Sequence, residues 1–251
     1  MQLNAIKKTS QIIQKTEDCL LDLVFPKSCI SCNKEGFFLC KKCLKKIEIE
    51  SLQVCPICQH SVTETGKICR ICRKDHSNLK NILVASDYKD PLIKSLIHQF
   101  KYKFTFELAE PLSKIMIRSA HKHHLPIPDL IIPVPLHPIR LRWRGFNQSF
   151  LLGKNFGEGL IENLTIPINN NIIHRRKNTP CQAGIKNREK RQANIQGAFE
   201  INENFYSLIK GRKILLIDDV CTSGYTLNEC ASAISLLKPR SIYAIVIARQ
   251  N

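Results

Sequence analysis

Two adjacent carboxylates, Asp218 and Asp219, follow four apolar residues, Ile214–Ile217, and precede the hydroxyl-rich run Thr222-Ser223-Gly224-Tyr225-Thr226. The unbroken apolar run predicts a buried strand, because a strand covered on both faces shows no polar alternation. Beyond it Leu227, Cys230, Ala231, Ile234 and Leu237 recur at helical spacing, which predicts a helix beginning near Gly224. A strand, a tight turn and a helix N-terminus bring backbone N–H groups and the positive end of a helix dipole to one spot. That is a phosphate site. The carboxylates would repel a phosphate but accept hydrogen bonds from a diol. The stretch therefore reads as a sugar-phosphate site, with Asp218 and Asp219 on the ribose hydroxyls and Cys221, Thr222, Ser223, Gly224, Tyr225 and Thr226 around the 5′-phosphate.

A second group of residues carries positive charge. Leu130–Val134 predicts another buried strand, and it runs into the stiff segment Pro133-Val134-Pro135-Leu136-His137-Pro138. In an open parallel sheet ligands bind at the carboxyl ends of the strands, where this segment would lie. Arg140, Arg142 and Arg144 follow at alternating positions, a spacing that suits a clamp on pyrophosphate oxygens. Residues 174–192 hold seven Lys or Arg against one Glu and no apolar period, which predicts a long basic loop.

Cysteine supplies the third chemistry. Eight of the 12 cysteines form four Cys-x-x-Cys pairs: Cys29/Cys32, Cys40/Cys43, Cys55/Cys58 and Cys69/Cys72. Two such pairs make one tetrahedral four-thiolate zinc site, so the segment has room for up to two structural Zn²⁺ ions. Pairing of neighbouring sets and interleaved pairing are both compatible with the spacing. Phe37–Leu39 reads as a short strand and Cys40–Ile47 as the start of a helix. The segment has few apolar residues, and metal would supply folding energy that a core cannot. Closed all-thiolate sites leave no open position for catalysis. His121, His123 and His124 read as a solvated helix end rather than a metal site.

These groups need elements to hold them. Residues 5–24 predict an amphipathic helix, then comes the cysteine segment, and α/β texture begins near Ser77–Leu83. Ile82–Ala85 reads as a strand and Pro91 as the start of a helix through Phe100, with Lys101-Tyr102-Lys103 after it. A helix over about 107–119, another from about Ser149, order returning at Ile195–Ile201 and a final strand over Ile242–Ala248 complete the series. The expected divisions are 1–26, 27–78 and 79–251. No run approaches the 18 apolar residues of a membrane span, and residues 1–25 lack the apolar core of a signal peptide, so a cytoplasmic protein is expected. The net charge of +17 favours polyanionic company.

Residues 214–227 resemble the phosphoribosyl pyrophosphate (PRPP) signature of type I phosphoribosyltransferases, with Ser223 where that family more often has a second Thr. The cysteine set, Pro133-Val134-Pro135-Leu136, Arg144-Gly145-Phe146-Asn147-Gln148, and the run Thr179…Gln182-Ala183-Gly184-Ile185…Arg191…Asn194…Gly197-Ala198-Phe199 occur in one order. Together they resemble the ComF family of competence proteins over about residues 19–248. The resemblance implies a zinc-finger segment joined to a type I phosphoribosyltransferase-like, mostly parallel sheet flanked by helices. It also implies Mg²⁺ with PRPP, catalytic roles for Asp218, Asp219 and Arg140, and pyrophosphate contacts from His137, Arg140, Arg144, Arg175 and Lys177.

Two functional readings follow. One is a PRPP-binding protein of natural transformation that handles incoming single-stranded DNA, with other competence proteins as partners and peripheral attachment at the inner membrane as the alternative to a free cytoplasmic state. The other is a Mg²⁺-dependent, pyrophosphate-releasing phosphoribosyltransferase, similar to the amidophosphoribosyltransferases of nucleotide metabolism. The absence of a Gly-x4-Gly-Lys-Ser/Thr motif argues against an ATP-driven motor.

Overall fold

The computed structural model describes residues 27–50, 53–58, 61–63, 65–72, 77–103, 105–179 and 193–250. The helix expected over 5–24 lies outside these residues, as does the part of the basic loop from 180 to 192. The described chain comprises α1 (Lys41–Lys46), β1 (Gln53–Val54), β2 (Val62–Thr63), β3 (Leu79–Asp87), α2 (Pro91–Tyr102), α3 (Ala109–Lys122), β4 (Leu130–Pro133), α4 (Pro138–Arg144), α5 (Gln148–Gly159), β5 (Ile173–Arg175), β6 (Phe199–Ile201), β7 (Lys213–Cys221), α6 (Tyr225–Ser235) and β8 (Ser241–Arg249). It divides into two compact units, residues 1–46 and 47–251.

The larger unit is built on a parallel sheet in the order β3-β8-β7-β4. The central strand β8 carries the longest apolar run, Ile242–Ala248, as expected of a strand covered on both faces. Leu130, Ile132, Ile214, Leu216, Ala244 and Val246 point to one face and pack with Leu227, Cys230, Ala231 and Ile234 of α6. The hairpin β5–β6 adds Ile173 and Phe199 to that cluster. On the other face α3 and α5 pack against each other and the sheet. The expected α/β class, a parallel sheet flanked by helices, is what the chain forms.

Helix α2 begins where Asp90 accepts hydrogen bonds from the Leu92 amide at 2.8 Å and the Ile93 amide at 3.4 Å, with Pro91 in its first turn. Its buried residues, Ile93, Leu96, Ile97 and Phe100, keep the three- and four-residue spacing of one helical face. The helix ends in Lys101-Tyr102, and that end matters below.

Strand β3 is an edge of the sheet, and an uncovered edge invites pairing with other chains. Here Glu48, Glu50, Gln53 and Gly66, from the described part of the stretch 48–67, cover it. The fully buried Gln53 side chain receives the Val84 amide and donates to the Val84 carbonyl, both at 2.9 Å, as a neighbouring strand would. The Glu50 amide donates to Ala85 at 3.0 Å, Ser86 Oγ to Glu48 at 3.2 Å, and the Ile82 amide to Gly66 at 3.1 Å. Gly66 has φ +67°, and a Cβ there would stand 2.3 Å from the Ile82 carbonyl oxygen, so this close approach requires glycine. His123 is buried rather than solvated, its Nε2 lying 2.9 Å from the Glu50 carbonyl. Tertiary packing of residues 47–53 overrides the polar sequence context that suggested exposure. Among the described residues no metal-ligand group includes it.

The eight cysteines resolve into two local sets, Cys29/Cys32/Cys40/Cys43 and Cys55/Cys58/Cys69/Cys72, with the sulfurs of each set within 4.8 Å of one another. A tetrahedral ion at about 2.3 Å from each thiolate places sulfurs about 3.8 Å apart. Cys32 and Cys40 stand at 3.8 Å, and Cys58 and Cys69 at 3.9 Å. Both sets fit zinc, and the interleaved pairing is excluded by this geometry. In the first set, burial raises the Cys29 thiol, but hydrogen bonds from the Cys40, Ser31 and Cys32 amides outweigh it and hold its pKa at about 6. Such amides favour the thiolate that a metal needs. Phe37–Leu39 does not form the expected strand; the short ladder instead pairs Ser28 with Glu35. The first set lies in the smaller unit and the second in the larger. Protein purified without chelator is expected to carry two zinc ions per chain by elemental analysis. Replacing Cys58 and Cys69 with Ser should reduce this to one and lower thermal stability, since Cys55 and Cys58 of that set lie within the stretch that covers β3. An unchanged metal content in that variant would refute the local assignment.

Candidate functional site at the carboxyl edge of the sheet

A cleft of about 120 Å³ opens at the carboxyl ends of β4 and β7, lined among others by Lys101, Arg140, Arg144, Ser149, Arg175, Asp218 and Asp219. The turn residues 221–226 form its floor beside the carboxylates. Strand β7 runs further than the apolar run implied: Asp218 pairs with Val246 and Cys221 with Arg249, so both carboxylates are strand residues held by the sheet. Gly224 adopts φ +73° and precedes α6, and no side chain caps that helix. A left-handed residue is needed to turn a strand directly into a helix here, and glycine enters that region without strain.

The two carboxylates are held differently. Asp219 is 6% exposed and pairs with Lys101 Nζ at 2.8 Å. Asp218 accepts from Ser149 Oγ at 2.9 Å and from the Asp219 amide at 2.9 Å. Burial, then the neighbouring Asp219 charge, pushes Asp218 up to about 7, against the opposing pull of Lys101 and the two hydrogen bonds. Lys101 moves in the opposite sense to a simple buried amine. Burial lowers its pKa, but the charge and hydrogen bond of Asp219 and the charge of Asp218 outweigh it, so the ammonium is held charged. Removing one member of a buried ion pair costs about 3–5 kcal/mol, because it strands the other charge.

The arginines sort by helix geometry. Residues 138–144 form α4 rather than an extended turn, with His137 as its N-cap, accepting from the Ile139 amide at 3.3 Å. Pro138 starts the helix, and the fixed proline φ suits its first position. The alternating arginines thereby separate: Arg140 and Arg144, one turn apart, both line the cleft, while Arg142 is exposed away from it. Arg140 donates to the Thr179 carbonyl, and Arg175 donates to Thr179 Oγ1 at 2.5 Å. Arg175 belongs to β5, not to a loop, and is buried against the Phe199 ring. The two arginines thus grip the residue at which the basic segment leaves the hairpin. His137 and Lys177 do not line the cleft; Lys177 Nζ instead donates to the Gln196 carbonyl at 2.8 Å.

Three contributors were not assigned from sequence. Lys101 comes from the last turn of α2, Ser149 from the first turn of α5, and Gln148 accepts from the Arg144 guanidinium through its Oε1 at 3.2 Å. Asn147 starts α5 by accepting the Ser149 amide at 3.1 Å, while its own amide donates to the Val134 carbonyl at 3.2 Å. The run Arg144–Gln148 therefore joins two helices to the end of β4. The signal for Lys101 was its place after a helix of regular apolar spacing, but no local pattern indicates which carboxylate it meets.

A double zinc ribbon domain is matched over residues 20–73. The chain is 30% identical to the DNA utilization protein YhgH of Escherichia coli O157:H7, covering 77% of this chain and 82% of that protein. It is 25% identical to competence protein ComFC of Bacillus subtilis, over 77% of this chain and 76% of that one. Among solved structures, a glutamine phosphoribosylpyrophosphate amidotransferase from B. subtilis, in complex with ADP and GMP, matches 60% of this chain at 9% identity with a TM-score of 0.36. The chain spans 30% of that enzyme's length. With competence protein F of Haemophilus influenzae the identity is 32%, covering 88% of this chain and 96% of that protein. This chain belongs to the competence protein F family.

Proposed function

We propose that this protein binds PRPP at the carboxyl edge of its sheet and acts in natural transformation, handling single-stranded DNA on the cytoplasmic side of the membrane. The observation that carries the ligand reading is the convergence of Asp218 and Asp219, the Gly224 turn and the start of α6 in a cleft that also holds Arg140 and Arg144. Carboxylates accept from the ribose diol, and the first turn of α6 takes the 5′-phosphate. Among the described residues the buried Nε of Arg144 has no hydrogen-bond partner, which leaves a donor for a ligand acceptor. The names of the relatives, competence protein F and DNA utilization protein, support the DNA reading. No helix among the described residues is long and apolar enough to cross a membrane.

Magnesium fits this reading only together with the ligand. Asp218 and Asp219 offer two acidic ligands, and Mg²⁺ is typically bound by one or two carboxylates plus substrate phosphates and water. The ion would neutralise charge on the pyrophosphate, while Lys101 holds Asp219 in place before the ligand arrives. A second reading, phosphoribosyl transfer, is favoured by Arg140 and Arg144 lining the same cleft as the phosphate turn. An acceptor would form its bond to C1 of the ribose as the C1–O bond breaks, the electron pair leaving on pyrophosphate.

Calorimetry with PRPP and Mg²⁺ tests the site. Asp218→Asn combined with Asp219→Asn is expected to weaken binding by roughly 10-fold or more, as each charge-assisted hydrogen bond is worth about 1.5–3 kcal/mol; unchanged affinity would remove the assignment. Asp218 is largely protonated below its pKa of about 7, and the protonated form is the poorer diol acceptor. Wild-type affinity should therefore rise as pH increases through 7, and Asp218→Asn alone should lose that component while keeping whatever the ligand's own phosphates contribute.

Fluorescence anisotropy with a labelled oligothymidine tests the DNA reading. Binding is expected at low salt, falling with a log–log slope of about −0.7 per phosphate neutralised. Substituting the exposed Arg142 and Lys103 with Ala should flatten the slope by about one such increment each. Absence of binding at low salt would leave the PRPP site without a DNA-handling role.

A further inference from the structure

An aromatic ledge borders the cleft on its outer side. Trp143 of α4 is 63% exposed and Tyr102 of α2 is 43% exposed, and their rings meet edge to face with centroids 6.0 Å apart. His98 extends the ledge one turn back along α2, its ring 4.9 Å from Tyr102. The Arg144 guanidinium sits 5.5 Å from the centre of the Tyr102 ring. Helix α4 buries no residue in the core, and its Ile139 and Leu141 are also open to solvent, at 50% and 40%. A tryptophan left exposed on such a helix contributes little to the stability of the fold.

The surroundings specify what it suits. Lys103 and Arg142, the chain neighbours of Tyr102 and Trp143, are exposed, while Lys101 and Arg144 line the cleft itself. Segments 91–105 and 130–157, which supply the ledge and its neighbours, contain no Asp or Glu. Flat aromatic faces among cations, with no acidic residue near in sequence, match an unpaired polyanionic strand whose bases offer π-faces and whose backbone offers phosphates.

We propose that Tyr102 and Trp143 form a stacking subsite for unpaired bases of single-stranded DNA, with Arg142 and Lys103 on the flanking phosphates. The inference rests on the DNA-handling reading above and adds to it a location and a mode. Because Arg144 touches Tyr102 and also lines the cleft, a strand seated on the ledge runs alongside the sugar-phosphate site.

Trp143 is the single tryptophan of the chain, so its fluorescence reports on this position alone. Titrating the full-length protein with a 15-residue oligothymidine at low salt should quench that fluorescence, in parallel with anisotropy of the labelled strand. An abasic strand of equal length should bind without quenching. Trp143→Ala should weaken oligothymidine binding by roughly 5- to 100-fold, the range of one stacked base, and leave the abasic strand unaffected. Trp143→Phe should retain most of the affinity. The residue is exposed, so neither variant disturbs the core. Binding by anisotropy with an unresponsive Trp143, or with unchanged affinity in Trp143→Ala, would overturn the subsite while sparing the DNA reading. No binding of either strand would overturn both. A blue shift with anionic phospholipid vesicles and no response to DNA would assign the ledge to a membrane face and overturn the subsite.

Discussion

The Lys101–Asp219 ion pair, 2.8 Å across, ties the end of α2 to the end of β7, and the carboxyl edge of the sheet is arranged around it. Two consecutive carboxylates in a central strand are costly, because each is drawn out of water beside a like charge. The molecule meets the cost with one ammonium, one hydroxyl and two backbone amides. The amides belong to β7 itself, while the ammonium of Lys101 and the hydroxyl of Ser149 come from α2 and α5. Holding the pair therefore fixes the last turn of α2 and the first turn of α5 where they wall a cleft. Replacing a buried ion pair by well-packed apolar residues is often neutral or stabilising in proteins, so stability does not by itself call for this pair. The charges are retained where a ligand can reach them.

The second constraint is the exposed edge of β3. A parallel sheet of four strands leaves two edges, and the segment 48–67 satisfies one of them with main-chain and Gln53 hydrogen bonds. Two cysteines of the second zinc set, Cys55 and Cys58, lie within that segment, and Cys69 follows close behind it. A metal held there would fasten the sheet edge as well as its own loop. The first set lies in the other compact unit and organises its own knuckle and helix. Two ribbons of similar sequence thus answer to different structural demands.

Charge is distributed by the same logic of placement. Arg140 and Arg175 converge on Thr179, Arg144 rests between Gln148 and Tyr102, and Arg142 faces away. A basic segment that looks uniform along the chain becomes three separate environments. One serves the cleft, one holds Thr179, and one borders the aromatic ledge.

The sequence alone determined the elements and most of the chemistry. Unbroken apolar runs at Leu130–Val134, Ile214–Ile217 and Ile242–Ala248 identified the buried parallel strands, because only strands covered on both faces lack polar alternation. The spacing of the cysteines indicated the four-thiolate sets, and Asp218-Asp219 with the Gly224 turn indicated the strand-turn-helix junction, since these patterns are local and carry their geometry with them. Tertiary structure alone decided the rest. It brought Lys101 and Ser149 to carboxylates more than 60 residues away in the chain, buried Arg175 and His123, and turned His137 into a helix cap. It chose local over interleaved zinc sets and extended β7 through Cys221 by pairing it with β8. Those outcomes depend on which surfaces meet across the sheet, and no window of neighbouring residues encodes that.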